Sequence, residues 1–185
     1  MSNLDTRSGW PDDLCVLLKE HPRSVWRTHG SALTEFWLYQ HDAFRRQCAA
    51  LQAATDDYRQ GRKPADELCS WIAPRLQEFF GHLHGHHQVE DFHYFPALRI
   101  VDQRLAAGFD TLARDHAVIH TGADALFAAI HEFMAIVRHS PPTNDSQRHA
   151  GDRYVAASET LYSQLLRHLE DEEDLVIPVM LAQGH

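Results

Sequence analysis

The segment His82-Leu-His-Gly-His-His-Gln-Val-Glu-Asp-Phe-His-Tyr-Phe-Pro96 puts imidazoles and carboxylates where a helix should be apolar. At a helical period Leu76, Phe79, Leu83, His86, Glu90 and His93 advance by three and four, so His86 and Glu90 fall on the buried stripe. Burying an ionised carboxylate alone costs roughly several kcal/mol or more, so Glu90 needs a proton, a cation or a metal. The imidazole one turn earlier points to a metal. The pattern recurs at His168-Leu-Glu-Asp-Glu172-Glu-Asp-Leu-Val-Ile-Pro178, where Leu161, Leu165, His168, Glu172 and Leu175 keep the same spacing. A buried ion-pair network would have to arise twice in register to give the same pattern.

Two further stripes carry histidine: His41 beside Trp37, Phe44, Cys48 and Leu51, and His116 and His120 beside Leu112, Ile119, Ala123 and Phe127. The candidate metal ligands are therefore His41, His86, Glu90, His116, His120, His168 and Glu172. Imidazoles four apart lie on one helix face about 6 Å apart, so His116 and His120 can share one ion. His82, one turn before His86, is the rival for His120. Mixed imidazole and carboxylate donors suit iron, zinc, manganese or copper. Five imidazoles and two acids on separate helices exceed what one ion uses, which implies two metals bridged by Glu90 and Glu172, about 3.5 to 4 Å apart. His84, His87, His93, His131 and His149 read as supporting or surface groups. Asp42, Asp91, Asp115 and Glu173 adjoin the candidates and could orient them.

Four amphipathic helices must position these groups. The spacing predicts them over about 31–58, 65–98, 110–139 and 147–182, punctuated by Gly61 and Pro64, by Gly108 with Asp110 as N-cap, and by a Pro141-Pro142 loop. Pro74 is expected to kink or break the second helix, and Gly81 and Gly85 to admit a neighbouring helix closely. The fold class is all-α: an antiparallel up-down four-helix bundle over 31–185, preceded by a short helical arm over 1–30. Trp10, Leu14, Leu17 and Trp26 of that arm would pack on the core or against a second subunit, making a homodimer an open alternative.

Composition sets bounds. One domain of 185 residues with 44% hydrophobic content can bury an adequate core, and a net charge of -9 disfavours nucleic acid and anionic membrane as partners. No apolar run reaches the roughly 18 residues a bilayer requires, and the start lacks the character of a secretion signal, so a cytoplasmic location is expected. Cys15, Cys48 and Cys69 suggest packing and not a disulfide framework or thiolate site. Fifteen histidines are the outlier.

The residues His86-His87-x-x-Glu90-Asp91-x-x-x-Phe95-Pro96 and His168-x-x-x-Glu172-Glu173-x-x-x-Ile177-Pro178 resemble the signatures of the hemerythrin-like, or HHE cation-binding, family, over about residues 31 to 182. The resemblance implies a non-haem di-iron centre, two iron ions with an oxo or hydroxo bridge, that binds dioxygen or a related small molecule. It implies His116, His120 and His168 on one iron and His41 and His86 on the other. The invertebrate oxygen carriers place the bridging acid five residues after the last histidine; here Glu172 is four after and Glu173 five after, and the stripe favours Glu172. Three imidazoles, two bridging acids and a bridging oxygen complete six ligands, whereas two imidazoles leave five. The open position suits binding or sensing of dioxygen or nitric oxide, kept dry by Trp37, Leu38, Phe44, Phe79 or Phe80, with an effector partner needed for a sensor. The alternative is a di-iron enzyme or stress protein that reduces nitric oxide or peroxide or donates iron to iron-sulfur clusters. Cluster-repair relatives carry an N-terminal cysteine-rich portion, and only Cys15 stands there. Ferritin-like sites use Glu followed three later by His, the reverse of this order.

Overall fold

The computed structural model describes residues 3–139 and 145–184. Among them there is no strand. Two short helices, α1 (Val16–Glu20) and α2 (Trp26–His29), lead into α3 (Ala32–Arg59) and α4 (Ala65–Val89). A short α5 (Phe95–Val101) precedes the long α6 (Ala106–His139) and α7 (Asp145–Ala182). The fold is all-helical, and its four long helices are the four read from the apolar spacing. No helix among the described residues is long and apolar enough to cross a membrane.

Local chemistry sets the boundaries. The Ser31 hydroxyl accepts hydrogen bonds from the backbone N–H of Leu33 and Thr34, capping α3. Gly61, at φ +70°, makes the turn that follows, in a backbone region where a side chain is strained. α4 runs through Pro74 without ending. The expected interruption comes later, as a π-helical turn over Glu90–Tyr94, and Pro96 then sits in the first turn of α5, where its missing N–H costs nothing. α6 begins before Asp110, because Asp102 accepts from the Arg104 N–H and starts the turn that feeds the helix. Asp110 lies inside the helix and pairs with Arg99. The Pro141-Pro142 loop lies outside the described residues, and α7 starts two residues before Gln147.

Gly81 and Gly85 do not admit a neighbour: a Cβ at either would meet nothing within 4 Å. Close approach occurs at Gly108, where a Cβ would stand 2.6 Å from Leu175 Cδ1.

The chain forms two compact units. The first comprises Met1–Ala43, Gly85–Ala117 and Gln164–His185. Its apolar core joins Leu14, Leu17 and Trp26 of the arm to Trp37, Phe95, Phe109 and Leu175, with Trp10 packed against it. The arm thus covers the chain's own core. The second unit comprises Phe44–His84 and Val118–Ser163. Phe44, Phe79 and Phe80 pack edge to face there, and Phe133 stacks on Tyr154. Cys48 and Cys69 are buried, and burial pushes their thiols up to about 12 and about 11, which suits packing and not reactivity.

Candidate metal centre

The first unit buries histidines and acids from each of its long helices. α3 supplies His41, α4 supplies His86 and His87, the π-helical turn supplies Glu90 and Asp91, α6 supplies Asp115 and His116, and α7 supplies His168, Glu172 and Glu173. Two groups have ligand atoms close enough for a metal ion: His87, His116 and His168; and His41, His86, Glu90 and Glu172. Within them His41 Nε2 lies 3.2 Å from His86 Nε2, and His116 Nε2 lies 3.1 Å from His168 Nε2.

The two acids connect the groups. Glu90 Oε1 is 2.7 Å from His86 Nε2, and its Oε2 is 3.5 Å from His116 Nε2. Glu172 Oε1 is 3.7 Å from His41 Nε2, and its Oε2 is 3.3 Å from His168 Nε2. Each carboxylate therefore offers one oxygen to each group.

Carboxylates behind the rings set which nitrogen faces inward. His41 Nδ1 is 3.0 Å from Glu173 Oε1 and His116 Nδ1 is 2.9 Å from Asp91 Oδ1, both hydrogen-bond distances, whereas Asp115 Oδ2 faces His168 Nδ1 at 3.7 Å, an ion-pair distance without a hydrogen bond. A carboxylate there favours the proton on Nδ1, which turns the Nε2 lone pair toward the centre and raises its basicity. Asp42 is different: it pairs with Arg27.

Six of the seven sequence candidates come together in these groups: His41, His86, Glu90, His116, His168 and Glu172. His120 does not join them; its ring packs edge-on against His84 at 5.0 Å. The third imidazole beside His116 and His168 is His87, which is 1% exposed and stacks on His116 at 3.9 Å. The physical reason is the helical step of about 100° per residue. His86 meets His41, and the next residue turns to His116, so one helix serves both groups. His82 is exposed and belongs to neither group.

The C-terminal stretch of α7 is enclosed on all sides, for residues 171–180 are buried without exception. Four successive acids take four directions. Asp171 accepts from Arg7, Glu172 faces the centre, Glu173 faces His41, and Asp174 accepts a fork from Arg23. Arg7 and Arg23 belong to the arm, whose polar role the apolar reading of Trp10, Leu14 and Leu17 did not reveal.

Without a cation, protons must neutralise this interior. Burial and the neighbouring Glu172 hold the Glu90 carboxyl well above its ordinary range. Burial pushes Glu172 up as well, but His41 and His168 outweigh it and hold that carboxyl well below. Burial lowers His168, yet Asp115 and Glu172 prevail and raise it to about 9. His86 is pushed down to about 3 and His116 is lowered, both chiefly by burial. Two acids on one site are forced apart in protonation, which is the expected state of a site with room for positive charge. The donor set, imidazole and carboxylate, fits a first-row transition metal.

Trp37 closes one side. It is 3% exposed, lies 6.0 Å from the His41 ring and 6.2 Å from the His86 ring, and stands edge-on to Tyr94. Its indole N–H is buried and meets no acceptor among the described residues.

Helices, convergent imidazoles and paired interior acids define a helical cation-binding domain. The chain belongs to the hemerythrin HHE cation binding domain family, whose model matches residues 32–180. Neither the curated proteins nor the solved structures contain a match.

Proposed function

We propose that the chain holds two iron ions and binds dioxygen or nitric oxide. His87, His116 and His168 would hold one ion, His41 and His86 the other, and Glu90 and Glu172 would bridge them. The observation that carries this reading is the division of each carboxylate, one oxygen to each imidazole group, which a single ion would not require. When bound, the ferrous pair supplies electrons and an open position to a small diatomic ligand.

The chain's own residues supply the rest. Glu173 and Asp91 orient the His41 and His116 rings, Asp115 faces His168, and the buried acids offset the cationic charge. With two imidazoles against three, the ion held by His41 and His86 would be the one able to take the diatomic ligand. Trp37 lies against those two rings and shields them on one side. The deciding experiment is elemental analysis with optical spectra in air and under nitrogen. Two irons per chain and an oxo-to-iron absorption that responds to the gas are expected. Iron loading that leaves no stoichiometric metal and no such absorption overturns the proposal.

A further inference from the structure

Arg7 belongs to the arm, before the segment shared with the family, yet its side chain is 2% exposed. Its Nη2 donates to Asp115 Oδ2, its Nη1 donates to Asp115 Oδ1 at 3.5 Å, and its Nε donates to Asp171 Oδ2 at 2.6 Å. One guanidinium therefore joins α6 to α7. Its two partners occupy particular positions: Asp115 directly precedes His116 and faces His168 Nδ1, and Asp171 directly precedes Glu172. The Trp10 indole N–H donates to the Asp171 carbonyl at 2.6 Å, and the Arg7 guanidinium lies 4.9 Å from the Trp10 ring, which fixes the arm at the same turn.

We infer that Arg7 is a positioning residue for the metal centre: its fork holds Asp115 behind His168 and fixes the spacing of the helix turns that carry His116 and Glu172. A planar guanidinium can grip two carboxylates at once in a set geometry, whereas an ammonium cannot. Burying it among Asp115 and Asp171 also neutralises acids that would otherwise compete for a cation outside the centre. The inference rests on the two-metal reading above, and it assigns the arm a part in the three-imidazole group specifically. The His41 and His86 rings have their own support, Glu173 behind His41, which Arg7 does not touch. A second arm residue provides a comparison: Arg23 forks onto Asp174 and reaches Glu170, neither of which faces a histidine of the centre.

The test uses the full chain and cobalt(II) or iron(II) under nitrogen, with metal per chain, chelator competition and the visible cobalt spectrum as readouts. Wild type should bind two ions. Arg7→Ala should weaken the ion of His87, His116 and His168 by about 10- to 100-fold, the cost usual for removing a ligand's supporting group, and should change the spectrum of that ion more than that of the other, which shares only Glu172 with the affected turns. Arg7→Lys should recover only part of the loss. Methylguanidinium should restore binding to Arg7→Ala through the adjoining cavity of about 630 Å³, which Arg7 lines with Trp10, Arg104 and Thr111. Arg23→Ala should match wild type in both affinities. Equal affinities in Arg7→Ala and wild type overturn the inference. So does an equal loss in Arg23→Ala, which would make the effect one of arm loosening. If Arg7→Ala does not fold, Arg7→Lys decides: wild-type binding there overturns it. Wild type that binds no metal overturns the two-metal reading itself, and that result is separate from any difference between variants.

Discussion

The two units solve the burial problem in opposite ways. Among the described residues, every buried acid, imidazole and guanidinium lies in the first unit, whereas the second buries neutral groups such as Thr55, Gln147, Ser158 and the hydroxyls of Tyr154 and Tyr162. The second unit is held by aromatic and aliphatic packing around Phe79, Phe133, Tyr154 and Leu161, and its stability is a matter of area and fit. The first has a comparable apolar cluster beside an interior that is charged, and that interior is stable only while its charges are matched. The same helices run through both, so helix formation does not distinguish them. What differs is the chemistry at a few positions on each stripe.

The strongest challenge to this contrast is at the acids. Because Glu90 and Glu172 each serve both imidazole groups, Glu172→Ala or Glu90→Ala should reduce metal from two ions per chain to fewer than one, by elemental analysis after loading and desalting. Retention of one tightly held ion in either variant would show that the acids act on one group each. Next in size is the choice of histidine. His87→Ala should lose the ion of its own group and keep the other, while His120→Ala should keep both. The reverse pair of results would restore His120 as the third imidazole.

The contrast between these two histidines shows what the sequence can carry. His86, Glu90, His168 and Glu172 were legible because each is a polar residue on an apolar stripe, an energetic anomaly visible without coordinates. His87 was not, because a single stripe admits one direction per turn, and α4 faces His41 with one residue and His116 with the next. The long helices were legible from the same spacing. The π-helical turn was not, since Glu90 keeps its register with His86 and nothing in the pattern marks the extra residue that follows. Arg7 lies 164 positions from Asp171, and no local rule connects them. Asp42 looked like Asp115 or Glu173, adjacent to a histidine, but a nearby Arg27 took it.

A smaller effect concerns pH and the charged unit alone. His168 is raised from 6.5 to about 9 in the folded chain, so the stability it contributes is complete below about pH 6.5 and is lost as pH rises through 9. Glu90, held protonated well above 4.5, has the same sign: the unfolded chain releases that proton more readily as pH rises. His86 and His116 are lowered, so below about pH 6.5 the unfolded chain takes up protons that the folded one refuses, and stability falls there too. The metal-free protein should therefore be most stable near pH 6.5. Metal displaces the protons on His168 and Glu90, so loading should shift that maximum upward and metal affinity should rise from pH 6 to 9. Thermal unfolding of both forms from pH 5 to 9 measures this, and a metal-free curve that stays level from 6.5 to 9 would contradict it.

The smallest effect is expected in the apolar unit, where a hydroxyl should matter only through its partner. Tyr154 Oη lies 2.9 Å from Thr55 Oγ1, and Thr55 Oγ1 itself donates to the Leu51 carbonyl, so Tyr154 is the donor between them. Tyr154→Phe loses that bond and should cost about 1 kcal/mol. Tyr162 is as deeply buried, but its hydroxyl meets no partner among the described residues. A buried hydroxyl left without a partner carries its desolvation cost uncompensated, so Tyr162→Phe should be neutral or stabilising by about 1 kcal/mol. Denaturant titration of the two variants thus tests a difference in sign and not only in size. Both should bind two ions, because neither ring belongs to the charged unit. A loss of metal in either variant would mean that the second unit does more than pack.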